Sequence, residues 1–163
     1  MNSLQLQILD LLNEDARRSS DLLATLLGRD KSEVEEAIAE LEADNVIVKY
    51  AAVVNWSKVH DDSVTALIEV QITPEKVHGF DAIAEKIYRC PEVKSVFLMS
   101  GAYDLLVEVE GQSLKEVASF VSNKLSPIDR VLSTKTNFIL KKYKQDGIIF
   151  EEKQEDNRLM ISP

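Results

Sequence analysis

The sequence predicts an α+β chain in two parts: three short helices, then strands and helices in the order βαββαβ. Three observations predict it. Apolar residues recur at helical spacing as far as Leu41. A tight Leu27-Gly28-Arg29 connection separates the second helical segment from the third. Beyond Ser63 the apolar period switches between strand and helix values in a regular order.

In the first part Leu4, Ile8, Leu11 and Leu12 share one helical face. Leu22, Leu23, Leu26 and Leu27 follow the cap residues Ser19 and Ser20. A third helix is expected to start at Asp30, with Asp30 and Glu33 as a capping box and Val34, Ile38 and Leu41 as its buried stripe. Gly28 supplies the positive φ that the turn before it needs. Three short helices joined in this way form a helix-turn-helix pattern. The segment from Val46 to Val54, rich in β-formers and preceded by the turn signal Asp44-Asn45, reads as a wing or linking strand. Polar residues from Trp56 to Ser63, with His60-Asp61-Asp62 among them, mark the boundary, so residues 1–60 form the helical domain with its linking strand.

The second domain, 64–144, opens with Val64, Ala66, Ile68, Val70 and Ile72 alternating along a strand. Phe80, Ile83, Ala84 and Ile87 return to helical spacing before Pro91 stops it. A strand from Val93 to Ser100, a turn at Gly101-Ala102 and a strand from Tyr103 to Glu110 follow. Leu114, Val117, Ala118 and Val121 make the second helix, and Arg130 to Lys144 the last long strand. This order fits a ferredoxin-like sandwich, with both helices on one face of an antiparallel sheet. Gln145-Asp146-Gly147 turns the chain into a short strand at Ile148 to Phe150, and residues 145–163 are a C-terminal strand and tail.

Composition narrows the function classes. The 163 residues are 45% apolar and 29% charged, enough for a globular core. No window approaches a membrane span, and Met1-Asn2-Ser3-Leu4 lacks the basic and apolar run of a secretory signal, so a cytoplasmic protein without membrane partners is expected. Cys90 is the single cysteine and reads as a half-buried packing residue; with His60 and His78 standing apart, neither a metal site nor a cofactor is expected. No nucleophile elbow, phosphate-binding glycine loop or clear carboxylate pair is present, which argues against an enzyme.

The stretch Asp15-Ala16-Arg17-Arg18-Ser19, with Leu23-Ala24, Leu27-Gly28, Val34, Ile38, Leu41-Glu42 and Val46-Ile47, resembles the N-terminal signature of the Lrp/AsnC transcriptional regulators. Pro91-Glu92-Val93, Ser100-Gly101-Ala102-Tyr103-Asp104 and Leu114 are similar to that family's effector-binding module. The match runs over about residues 3 to 144 and includes both domains in the right order. It implies a winged helix-turn-helix that binds DNA, a homodimer that associates into higher oligomers, and a small-molecule effector, an amino acid being the expected class. Leu67, Phe97, Met99 and Leu106, apolar residues on the second sheet face, independently suggest pairing of sheets, although Lys135 and Asn137 also lie on that face.

The resemblance implies an effector pocket near Gly101 and Asp104. Gly101 lets a ligand approach the backbone, Asp104 offers an acceptor to an ammonium group, and amides at the turn are donors to a carboxylate. Ser100, Tyr103, Thr134 and Thr136 are the further lining candidates. A plain hairpin, with Asp104 bonded to its own backbone, accounts for the same residues.

For DNA, Arg29, Lys31 and Ser32 at the start of the third helix, with Arg17, Arg18 and Ser19 before it, could form a small positive end, and Glu35 could accept from a cytosine amino group. Charge opposes this. The chain carries −9 overall, and between Met1 and His60 six basic side chains face eleven acidic ones. Glu36, Ala37 and Glu40 stand where the family usually has basic residues, with Glu36 and Glu40 expected opposite the buried stripe, towards the DNA backbone. Two other functions compete with a DNA-binding regulator: a sensor or protein-interaction module on the same architecture, and an enzyme resembling certain haem-pathway decarboxylases.

Overall fold

The computed structural model describes residues 1–59, 63–73 and 79–150. His60, Asp61, Asp62, His78 and the 151–163 tail therefore lie outside the described residues. The chain divides into two compact units, the first Met1–Val54 and the second beginning at Asn55.

The first unit is made of α1 (Ser3–Glu14), α2 (Ser20–Leu27) and α3 (Lys31–Ala43). Its core gathers Ile8 and Leu12 of α1, Leu23 and Ala24 of α2, and Val34, Ala37 and Leu41 of α3, as helical periodicity requires. Burial of each such Leu or Ile contributes about 1.5–3 kcal/mol. Ser19 caps α2 by accepting the Leu22 amide, and Gly28, at φ 62, closes it with the Arg29 amide donating to the Ala24 carbonyl at 3.0 Å.

Two local expectations fail here. Asp30 is the N-cap of α3 in backbone but makes no side-chain cap bond. Glu33 is drawn instead to Arg29, at 3.5 Å, and the reciprocal box that does form joins Asn2 and Gln5 at the start of α1. The wing strand is also absent: residues 46–54 form no strand among the described residues. A β-former becomes a strand only with a ladder partner. Val46, Val48, Tyr50, Val53 and Val54 instead remain exposed.

The second unit begins with a 3-10 turn at Trp56–Lys58 and contains β1 (Val64–Ile72), α4 (Gly79–Tyr88), β2 (Val93–Leu98), β3 (Leu105–Gly111), α5 (Leu114–Phe120) and β4 (Val131–Phe138). The last turn of α5 widens into a π-helical turn, Val121–Leu125. The sheet is antiparallel, in the order β2-β3-β1-β4, which is the ferredoxin-like arrangement. Ala66, Ile68 and Val70 of β1 and Leu105, Val107 and Val109 of β3 point to one face, where Ile83, Ile87, Val117, Phe120 and Leu125 cover them. Cys90 is half-buried and packs against this cluster, as its place after α4 suggests.

Strand ends differ from the sequence reading because pairing sets them. β2 stops at Leu98 and β3 starts at Leu105, leaving a loop at residues 99–104 in place of a two-residue turn. β4 ends at Phe138, opposite Ala66; the Ile139 amide makes a last bond to the Thr65 carbonyl, near the start of its partner β1. A separate hairpin, β5 (Lys144–Gln145) and β6 (Ile148–Ile149), turns at Asp146 and Gly147, both at positive φ.

Candidate functional sites

The second face of the sheet is only partly apolar. Cross-strand register sets Phe97, Leu106, Glu69 and Lys135 in one row and Ser95, Glu108, Leu67 and Asn137 in the next. Phe97 is 50% exposed and Met99 is also exposed, while Leu67 and Leu106 are half-buried. Both carboxylates are satisfied within the sheet: Glu69 accepts from Asn137 at 3.0 Å and pairs with Lys135 at 3.4 Å, and Glu108 accepts from Ser95 at 3.1 Å. The two glutamates in the middle of this face went unnoticed in the sequence, although Glu69 stands two residues from Leu67 and Glu108 two residues from Leu106, the spacing that puts them on the same face.

Loop 99–104 lies at the end of the sheet where β1 finishes. The Met99 amide closes it by donating to the Asp104 carbonyl at 2.8 Å, and the Asp104 amide donates to the Val70 carbonyl at 3.0 Å. Two residues further along β1, β3 has left the ladder, and the Asp104 carboxylate stands in for the missing strand carbonyl by accepting the Ile72 amide at 2.7 Å. Asp104 thus bonds the neighbouring strand through its side chain. Gly101 is not at positive φ, and a Cβ placed on it would meet nothing within 4 Å. Its backbone therefore faces open space, and the protein's own conformation does not require glycine there.

Ser100, Gly101, Tyr103 and Asp104 are together in this loop, but Thr134 and Thr136 are not on its face of the sheet. They pair with Val70 and Ile68 and alternate to the helix-covered side of β4, where the Thr134 and Ser126 hydroxyls are 3.5 Å apart. Two polar residues that sequence reading missed reach the loop region: Gln71 donates to the Ala102 carbonyl at 2.9 Å, and Ser133 donates to Gln71 at 2.6 Å. Their signal lay in cross-strand register, which periodicity alone does not supply.

In the helical unit Arg17, Arg18, Arg29 and Lys31 each come with a partner. Arg17 is 92% exposed and reaches the Asp15 carboxylate at 3.3 Å; hydrogen bonds from the Arg17 amide and side chain hold the Asp15 carboxyl below its ordinary value. Arg18 is turned inwards, donating to the Leu11 carbonyl at 2.7 Å and to Glu14 at 2.8 Å. Lys31 bonds Asp21 at 2.9 Å with Glu35 at 3.8 Å, which raises its pKa through the Asp21 bond first and through both charges next. Arg29 pairs with Glu33, and Ser32 is exposed beside it in the first turn of α3. Glu36 and Glu40 are both exposed on α3, as expected. The Glu40 carboxylate accepts from Gln5 of α1 at 2.9 Å and Ala37 is buried, so two of the three unfavourable positions stay exposed, one of them engaged within the helical unit. Tyr50 donates to Glu42 at 2.8 Å; burial first, and that bond second, raise its pKa. A cleft of about 400 Å³ beside Lys31 is bordered by Ser20, Asp21, Glu35, Ile38 and Tyr50.

Among the described residues there is no group of three or more His, Cys, Asp or Glu side chains placed to hold a metal, and no helix is long and apolar enough to cross a membrane.

Comparison with known proteins matches residues 65–149 to the Lrp/AsnC ligand binding domain and residues 1–48 to a winged helix-turn-helix DNA-binding model. The uncharacterized HTH-type transcriptional regulator YugG of Bacillus subtilis is 48% identical over 158 residues, 96% of this chain and 95% of the relative. An uncharacterized HTH-type regulator of Pyrococcus furiosus is 32% identical over 139 residues, 85% of this chain and 91% of its own length. Among solved structures, Escherichia coli AsnC superposes with a TM-score of 0.68 at 19% identity, covering 89% of this chain and 95% of that one. A Neisseria meningitidis transcriptional regulator in complex with L-Met superposes with a TM-score of 0.71 at 24% identity, covering 89% and 93%. The matched models and the relatives named here are those of regulators, and none is a haem-pathway enzyme. With both domain models matched in order and nearly half of the residues shared with a full-length relative, the chain belongs to the Lrp/AsnC family of transcriptional regulators.

Proposed function

We propose that this protein acts as a homodimer or higher homo-oligomer that binds DNA through the start of α3 and responds to an amino acid bound at loop 99–104. The observation that carries the effector reading is the loop itself: Gly101 faces open space beside the half-buried carboxylate of Asp104. That combination suits a zwitterion. The ammonium group is received at Asp104, and loop amides near Ser100 and Gly101 face the carboxylate, with Tyr103 alongside. The neighbour that holds L-Met supports the ligand class. Thr134 and Thr136 remain part of this proposal only as supports of β4, since they stand on its other face.

Sheet pairing accounts for the exposed apolar residues of the open face. Phe97, Leu67 and Leu106 would be buried against the same residues of a second copy, while the glutamates keep the bonds that already satisfy them. Two-fold pairing presents two α3 helices to a palindromic site. On each, Arg29, Lys31 and Ser32 meet phosphates, with Arg17 adding a further cation and Glu35 accepting from a base edge. Ser19 and Arg18 contribute by holding α2 and α1.

The test combines titration calorimetry of the full chain with the twenty L-amino acids and fluorescence anisotropy on DNA from its own promoter. One amino acid should bind, and its addition should change the affinity for DNA. Gly101→Leu should abolish that binding while leaving thermal stability unchanged. Binding of no amino acid, or undiminished binding by Gly101→Leu, would sink the effector assignment.

A further inference from the structure

One side chain fastens the middle of loop 99–104 to the sheet, and it does so from outside the backbone ladder. Gln71 sits on β1 immediately before the register shift between Gln71 and Ile72. Its Nε2 donates to the Ala102 carbonyl at 2.9 Å, and its Oε1 accepts the Ser133 hydroxyl at 2.6 Å. A backbone carbonyl only accepts, so the amide must turn its NH2 towards Ala102. That leaves Oε1 towards β4, where the Ser133 hydroxyl donates to it and prevents the amide from turning over. The relay runs from the loop between β2 and β3, through β1, to the edge strand β4.

Each bond of this relay is exposed, so each adds little to global stability. The consequence falls on the loop. A loop released from its anchor populates other conformations, and apparent affinity falls with the competent fraction. The Asp104 to Ile72 bond secures the far end of the loop, whereas the bond from Gln71 acts on Ala102, next to Gly101.

We propose that Gln71 is a positioning residue of the effector loop, oriented by Ser133, and that this relay sets the affinity of the site for its ligand. The inference rests on the reading of loop 99–104 as the effector site.

Hydrogen–deuterium exchange on the full chain, comparing wild type with Gln71→Met, Ser133→Ala and Ser133→Thr, tests it. Losing one hydrogen bond should speed exchange of the Met99 and Asp104 amides, which close the loop through hydrogen bonds, about fivefold in Gln71→Met. Ser133→Ala should speed it less, Ser133→Thr should restore the wild-type rate, and residues 105–109 should be unchanged throughout. Unchanged loop exchange in Gln71→Met, or equal acceleration in 105–109, overturns the positioning role. Should Gln71→Met fold poorly, the Ala and Thr variants of the exposed Ser133 decide alone: indistinguishable loop exchange in the two rejects the relay. Calorimetry with L-methionine on the same variants separates the two claims. Weaker binding by Ser133→Ala, restored by Ser133→Thr, supports control of affinity, and equal binding by all variants overturns it. If no amino acid binds even the wild type, the effector reading and the affinity claim fall together, while exchange still decides whether Gln71 positions the loop.

Discussion

The Asp104 carboxylate accepts the Ile72 backbone amide at 2.7 Å, doing for β1 what a strand carbonyl of β3 would have done had β3 continued. The same carboxylate is the proposed acceptor for an effector ammonium, so its two roles must be separated experimentally. Asp104→Asn retains an oxygen for the Ile72 amide and loses the charge. It should lower stability by less than Asp104→Ala does, because the Ile72 bond is kept but no longer charge-assisted, while weakening amino-acid binding by about tenfold as the ammonium loses its ion-pair partner. Asp104→Ala should lose both, with a stability loss of about 1–2 kcal/mol. Equal effector affinity in Asp104→Asn and wild type rules the ammonium role out.

Arg17 and Arg18 are neighbours in sequence with opposite environments. The Arg18 side chain is 20% exposed and bonds the Leu11 carbonyl near the end of α1, where a cation also meets the negative end of the helix. Arg18→Met should cost about 1–2 kcal/mol in chemical denaturation. Arg17→Ala should leave stability within about 0.5 kcal/mol, because exposed pairs such as Arg17 with Asp15 contribute little. It should instead lower the salt dependence of DNA binding. A reversed pattern would show that Arg18 is the residue free for DNA.

How much of this was legible in the sequence depends on the range of the interaction. Element order and the buried stripes follow from residues three or four apart, so Ile8, Val34 and Ile83 read as core without any tertiary knowledge. The Asp30 box misleads because a competing cation at Arg29 takes the Glu33 carboxylate. What sequence reading missed is carried by bonds between distant residues: Gln5 to Glu40, 35 apart, and Ser133 to Gln71, 62 apart. Strand ends belong to the same class, since β4 stops where β1 begins. Charge along α3 was legible as composition, but the bond from Gln5 that holds the exposed Glu40 carboxylate was not.

Glu92 and Lys124 form a third distant pair, and it gives the stability a pH dependence. The Lys124 bond holds the Glu92 carboxyl below its ordinary value, against the opposing effect of burial, while Lys124 is raised by the same bond. A depressed carboxyl stabilises the fold above its unfolded pKa, and that contribution is lost as pH falls through the lower, folded value. A raised lysine stabilises below its unfolded pKa and loses that contribution only in strongly alkaline solution. At neutral pH both terms are present. Lys124→Met removes the pair and strands a carboxylate whose Oε2 is already buried without a hydrogen-bond partner among the described residues. Urea midpoints should therefore be lower for Lys124→Met at pH 7 and converge with wild type on acidification below about pH 4. A gap between the two proteins that stays constant over that range excludes the linkage.

Glu36 is the clearest measure of what limits DNA binding. Ala37 is buried and the carboxylate of the exposed Glu40 is held by Gln5 of α1, so Glu36 is the acidic member of that trio whose carboxylate no described residue holds. Lys31 and Arg29, which flank the start of the helix, already carry carboxylate partners, and any phosphate must compete with Asp21, Glu35 and Glu33 for them. Binding should accordingly release few counterions, giving a shallow fall of log K with log salt. Reversing the charge by Glu36→Lys removes a repulsion and adds one cation on an exposed face, so the fold should be untouched. Anisotropy titrations on promoter DNA across a salt series should show tighter binding at low salt and a slope steeper by about 0.9, the value for one added phosphate contact. An unchanged slope would mean that the outer side of α3 does not meet the phosphate backbone, and the DNA-facing surface would have to be sought elsewhere on the helical unit.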